Sequence, residues 1–219
     1  MCDTLDLLKQ NFSEKRLSTY EKLAEKKKLD INEAVKLYKY NILICEELYA
    51  FFSCIEVCLR NKIHNKMKEI KCKDDWYNDV DWLEIHAKGL EDAKKPKYNN
   101  EPTPSTNDVI ARLNFGFWCH IFDAGYEQSL WIPALRFIFP NYKGKPNRSS
   151  IASTYRNLLK TRNRIAHFEP MIKDEDNLLK IYNQMIEVMN WMCPKTLNWY
   201  QSFNKFDVLY EQLANNSFI

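Results

Sequence analysis

Arg162-Asn163, followed four positions later by His167, puts a permanent cation, an amide and an imidazole within the final turns of one predicted helix. Residues four apart share a helix face, so the Asn163 amide can orient the His167 imidazole through a hydrogen bond. Arg162 is offset around the helix, but its planar fork suits a phosphodiester. His167 falls near the predicted end of the helix, where carbonyls favour a cation, and an imidazole exchanges protons near neutral pH. Such a set suits phosphoryl chemistry. It also has a purely structural reading, in which His167 caps the helix and Arg162 pairs with a carboxylate such as Glu169. Spacing alone leaves both open.

A second polar line, Glu56, Arg60 and His64, recurs at four-residue steps on an otherwise apolar helical stretch. Polar groups on such a face need partners. Glu56 ahead of Arg60 is the favourable ion-pair orientation, which makes the line a structural pair. In its functional reading, Glu56 or Arg60 orients the Arg162 to His167 helix, with His64 supporting. Cys54 and Cys58 are also four apart, yet no second Cys or His pair stands at metal-ligand spacing, so no metal is expected.

The elements that must hold these residues are helical. The chain has 219 residues, 45% of them hydrophobic and 14% aromatic, but only 4 glycines, so the turn chemistry of hairpins and phosphate-cradling glycine loops is nearly missing. Residues 32–68 read as one uninterrupted helix, with Leu37, Leu48, Phe52, Ile55, Leu59 and Ile63 at mostly three- and four-residue steps. One or two short helices precede it over 5–29, with Ser13 placed to cap the run from Glu14. Residues 72–104 look like an irregular, exposed connection. Helices follow from Ser105 or Thr106 through Phe117 and around 130–139, and 141–147 is a loop. A helix capped by Ser149 or Ser150 then runs into the Arg162 to His167 set and stops near Phe168, because Pro170 disfavours helix at Glu169. A last strong helix covers 174–192.

The net charge of +3 is too small for a protein that relies on nonspecific attraction to nucleic acid, and the lysine tracts read as solvated helix faces. Of the basic tracts, only Arg156 to Arg164 stands out. Seven cysteines, an odd number, match no extracellular disulfide scaffold, and the start Met1-Cys2-Asp3-Thr4 lacks a leader pattern. No membrane-spanning run of about 18 apolar residues is seen. A cytoplasmic protein with reduced thiols is expected.

Four segments together carry a resemblance. Leu48 through Phe52 and Ile55-Glu56-Val57-Cys58-Leu59-Arg60-Asn61-Lys62-Ile63-His64 resemble a helix of bacterial Abi-like (abortive infection) proteins, a branch of the HEPN superfamily. Asn114-Phe115-Gly116-Phe117-Trp118, Leu130-Trp131-Ile132-Pro133-Ala134-Leu135 and Arg162 to Pro170 resemble three further segments of that family, in the same order and spacing. The resemblance implies an all-α, HEPN-like helical bundle with long core helices and an irregular insertion, a single domain over 1–219 that forms a homodimer. Active members are metal-independent endoribonucleases in which a histidine follows an arginine after four to six residues. Arg162, Asn163 and His167 match that motif at its shortest spacing. Phe168 is a departure, standing where many relatives show a second histidine.

The implied reaction is attack of an RNA 2′-hydroxyl on the adjacent phosphorus, giving a 2′,3′-cyclic phosphate and a 5′-hydroxyl without metal or cofactor. His167 would move the proton, Arg162 would stabilise charge on the phosphoryl oxygens, and Asn163 would fix the imidazole or contact the backbone. The implied role is a phage-defence effector or toxin, restrained by a protein or RNA antitoxin. The alternative is a non-catalytic RNA-binding or scaffolding module on the same fold.

Overall fold

The computed structural model describes residues 4–98 and 102–218. The two short N-terminal helices are α1 (Thr4–Phe12) and α2 (Glu14–Lys26), and the long apolar repeat forms α3 (Glu33–Lys71), 39 residues without a break. Neither Gly nor Pro interrupts α3, and its core stripe of Leu37, Ile44, Leu48, Ile55, Leu59 and Ile63 is fully buried. Ser13 does stand at the N-cap of α2. Its backbone, at φ 75°, is not in the extended conformation from which a hydroxyl reaches the first-turn amides, and no side-chain cap bond forms.

Residues 72–98 differ from the exposed connection expected over 72–104, of which 99–101 lie outside the described residues. They hold a 3-10 turn (Trp76–Asp79) and α4 (Glu84–Lys94), with Trp76, Tyr77, His86, Leu90 and Ala93 buried. The anchors are aromatic and irregularly spaced, so they leave no helical period to read. The helix expected from Ser105 to Phe117 is two helices, α5 (Thr106–Arg112) and α6 (Phe115–His120). Asn114 separates them, because its Oδ1 accepts the Phe117 N–H at 3.0 Å and caps a fresh helix. Residues 124–138 wind as short 3-10 and π turns.

Two longer helices follow, α7 (Arg148–Ala166) and α8 (Glu175–Met192). Asn147 caps the first, accepting the Ser150 N–H at 2.9 Å, and Asp174 caps the second, accepting the Asn177 N–H at 3.0 Å. Pro194 opens α9 (Pro194–Gln201), where its missing N–H costs nothing, and α10 (Phe206–Ala214) completes the set. There is no strand among the described residues; the fold class is all-α. No helix among them is long and apolar enough to cross a membrane.

The chain forms two compact units. One takes the residues up to Phe52, then Arg162–Asn183, then those from Tyr200 on; the other takes Ser53–Thr161 and Gln184–Trp199. The first unit is built on stacked aromatics, Phe51 on Tyr200 with centroids 4.1 Å apart and Tyr182 on Phe206 at 3.8 Å. Polar clips add to it. Tyr40 donates to Gln212 Oε1 at 2.8 Å, and Lys27 joins Glu175 at 2.6 Å and the Leu213 carbonyl at 3.0 Å. The second unit packs Ile55, Leu59, Trp118, Phe122, Phe139, Tyr155 and Met189 in its interior. There Trp118 Nε1 donates to the Leu113 carbonyl at 3.2 Å, and Arg148 binds both Glu127 Oε2 and the Phe122 carbonyl.

Candidate active site

The Arg162 to His167 set lies wholly in the first unit, at the C-terminus of α7. That end is closed by backbone. The Phe168 N–H donates to the Ile165 carbonyl at 2.9 Å and the Glu169 N–H to the Arg164 carbonyl at 3.0 Å, with Phe168 in the left-handed region at φ 58°. This is the paired bonding that closes a helix through one left-handed residue, and it satisfies those carbonyls without help from the imidazole. The His167 side chain is exposed and makes no hydrogen bond to any described residue.

Arg162 is half-buried and Asn163 exposed on the last turn of α7. The Asn163 carbonyl accepts the His167 N–H at 2.9 Å, which is the ordinary helical bond. Their side chains are not hydrogen-bonded to each other; both face water, which satisfies them separately. Glu169 pairs with Arg164, whose Nε lies 2.9 Å from its carboxylate.

His167 borders a cleft of about 300 Å³ between the start of α2 and the segment 167–170. Ser13, Lys15, Arg16 and Thr19 form the facing wall. Arg16 Nη1 donates to the Phe168 carbonyl at 3.1 Å, so α2 is tied directly to the segment that carries the imidazole. Sequence reading misses Lys15 and Arg16, because they lie far along the chain from His167 and look like ordinary surface cations of an amphipathic helix.

Beside this cleft, and sharing Arg16 and Phe168 with it, is a larger cavity of about 980 Å³. One face of α3 (Tyr38, Asn41, Cys45, Tyr49) forms its floor, and Phe12 closes one side. Burial pushes the Cys45 thiol up to about 11, so it remains an uncharged wall.

Glu56, Arg60 and His64 lie in the other unit. Glu56 and Arg60 are half-buried, and Arg60 Nε is buried without a hydrogen-bond partner among the described residues. The His64 imidazole is engaged within its own unit, where Nδ1 accepts the Trp76 indole N–H at 3.0 Å. Burial holds its pKa below the usual value.

The second unit also contains an imidazole and carboxylate pair that sequence reading passes over, His120 Nδ1 with Asp123 Oδ2 at 2.9 Å, and Arg156 reaches Asp123 at 3.1 Å. Behind it, buried His86 Nδ1 lies 2.7 Å from the Tyr126 hydroxyl, within hydrogen-bond distance. The three-residue step from His120 to Asp123 inside an apolar run is the signal that marks the pair. Among the described residues no group of three or more His, Cys, Asp or Glu could hold a metal ion.

No family model, no curated protein and no solved structure matches the chain.

Proposed function

We propose that the chain is a metal-independent endoribonuclease of the Abi-like, HEPN type, with His167 and Arg162 at its active site. The observation that carries the reading is His167 itself: an exposed imidazole with no partner among the described residues, bordering a cleft whose opposite wall brings Lys15 and Arg16. A histidine kept for structure would be expected to spend its nitrogens on the helix end, and here the backbone makes those bonds.

In the proposed reaction His167 takes the proton from a ribose 2′-hydroxyl as its oxygen forms a bond to phosphorus. The bond from phosphorus to the 5′-oxygen breaks, and that oxygen takes a proton from a second acid. The products are a 2′,3′-cyclic phosphate and a 5′-hydroxyl. Arg162 and Arg16 stabilise the charge that builds on the phosphoryl oxygens. One imidazole cannot readily serve as base and acid in the same turnover, so the second acid is His167 of another copy in a two-fold dimer. A defence effector or toxin held in check by an antitoxin is the biological role that goes with this chemistry.

Incubation of a labelled RNA with the full chain in a chelating buffer tests it. Cyclic-phosphate ends are expected, with a loss of at least about 100-fold in His167→Ala and little change in His120→Ala. No cyclic-phosphate product, or equal cutting by His167→Ala, overturns the enzyme reading. One observation favours the alternative, an RNA-binding module without cleavage: the Asn163 amide does not hold the imidazole. That reading expects RNA to be retained and left intact.

A further inference from the structure

The cavity beside His167 holds a polar group in an unusual state. Asn41 is only 4% exposed, and its Oδ1 accepts two backbone N–H groups, Met171 at 2.6 Å and Ile172 at 3.4 Å. A backbone N–H can meet only an oxygen there, so these bonds fix which way the amide points. The other end, Nδ2 with its two N–H donors, has no partner among the described residues, yet Asn41 lines the cavity. An amide this deeply buried with its donors unspent leaves hydrogen-bonding capacity for a guest.

The walls say what kind of guest. Tyr38 and Tyr49 come from α3, Phe12 from α1, and Phe168 from the turn after His167. Tyr49 is 57% exposed and Phe168 is 71% exposed, so both offer ring faces that the fold does not use. Aromatic faces around one oriented polar edge suit a planar heterocycle that stacks and is read at its rim. Arg16 adjoins both this cavity and the His167 cleft, and the one hydrogen bond of its guanidinium among the described residues is to the Phe168 carbonyl. Its remaining donors are placed for a phosphate lying between the two.

We infer that this cavity binds a nucleobase of the RNA, with Asn41 as the group that reads it and guanine as the base it favours. The inference rests on the nuclease reading for its substrate. Asn41 can only donate, because its oxygen is committed to Met171 and Ile172. Guanine presents two neighbouring acceptors, O6 and N7, to such a donor, whereas adenine puts its own amino group beside N7 and sets donor against donor. The left-handed turn at Phe168 gives the residue after the histidine a function of its own: its ring forms a wall shared by the base cavity and the phosphate cleft.

Calorimetric titration of the full chain with GMP and with AMP tests this, since the two share a phosphate and differ only in the base. GMP is expected to bind about tenfold tighter than AMP. Asn41→Asp keeps the oxygen that Met171 and Ile172 need and replaces the donor by an acceptor, so it is expected to abolish that preference. Tyr49→Ala, at an exposed position that leaves folding intact, is expected to weaken both nucleotides about tenfold. Equal affinity for GMP and AMP, no binding of either, or a preference unchanged in Asn41→Asp overturns the inference. The two readings fail separately: RNA cleavage with no nucleotide preference sinks the base cavity alone, and guanine-selective binding without cleavage sinks the nuclease alone.

Discussion

His64 accepts a hydrogen bond from the Trp76 indole N–H, and His86 shares one with the Tyr126 hydroxyl, so each imidazole is held in place by a neutral partner. Burial lowers both pKa values from the ordinary value of about 6.5. As pH falls through that value the unfolded chain takes up protons first. The stability these residues contribute is therefore complete above about pH 6.5 and is lost below it, towards their folded-state values. The melting temperature is expected to drop between about pH 7 and about pH 5, and the drop is expected to shrink in His64→Asn, which keeps an acceptor for the indole but cannot be charged. An identical pH profile for the variant in scanning fluorimetry would show that His64 does not titrate against the fold. His167 differs from both, because its ring bonds to no described residue. His167→Ala is expected to change stability by less than about 0.3 kcal/mol, whereas loss of an imidazole that caps a helix C-terminus would cost from about 0.3 up to about 2 kcal/mol. Chemical denaturation of the variant separates the two.

The turn that ends α7 combines a backbone device with a residue ill suited to it. A side chain in the left-handed region costs about 1 kcal/mol, and Phe168 recovers little of that by burial. Phe168→Gly is expected to raise stability by about 0.5 kcal/mol after its greater freedom in the unfolded chain is counted, while GMP binding falls. A lower melting temperature in that variant would mean that the ring packs for stability. How much of this was legible beforehand differs by element. α3, α7 and α8 show in the sequence because one apolar face recurs without Gly or Pro, and the stop near Phe168 follows from Pro170. The division of α5 from α6 rests on one Asn114 hydrogen bond, and α4 on scattered aromatic anchors, neither of which has a period. Of the site, the spacing of Arg162, Asn163 and His167 was visible, but Arg16 and Asn41 become relevant only once the fold brings distant parts of the chain together. Asn41 in particular lies on the core side of an apolar helix, where its pattern suggests only a buried polar residue.

All six tryptophans belong to one unit: Trp76, Trp82, Trp118, Trp131, Trp191 and Trp199 lie within Ser53–Thr161 or Gln184–Trp199. Tryptophan fluorescence therefore reports that unit alone, whereas far-ultraviolet dichroism reports the helices of both. Because α3, α7 and α8 each continue from one unit into the other, the two signals are expected to melt together, within about 2 °C. A fluorescence transition well apart from the dichroism would show that the units unfold independently. The same threading governs the order in which the molecule can be made. The unit with the candidate site draws on three separated stretches of chain, the last of them beginning at Tyr200 and including the buried Phe206 and Leu213. A chain emerging from the ribosome at about 5–20 residues per second thus has His167 outside well before the aromatic stacks on Tyr200 and Phe206 can form. For a protein with the proposed activity, the site is assembled only after Tyr200 and Phe206 have emerged, and a translation product interrupted before them carries the motif without the fold that would arm it.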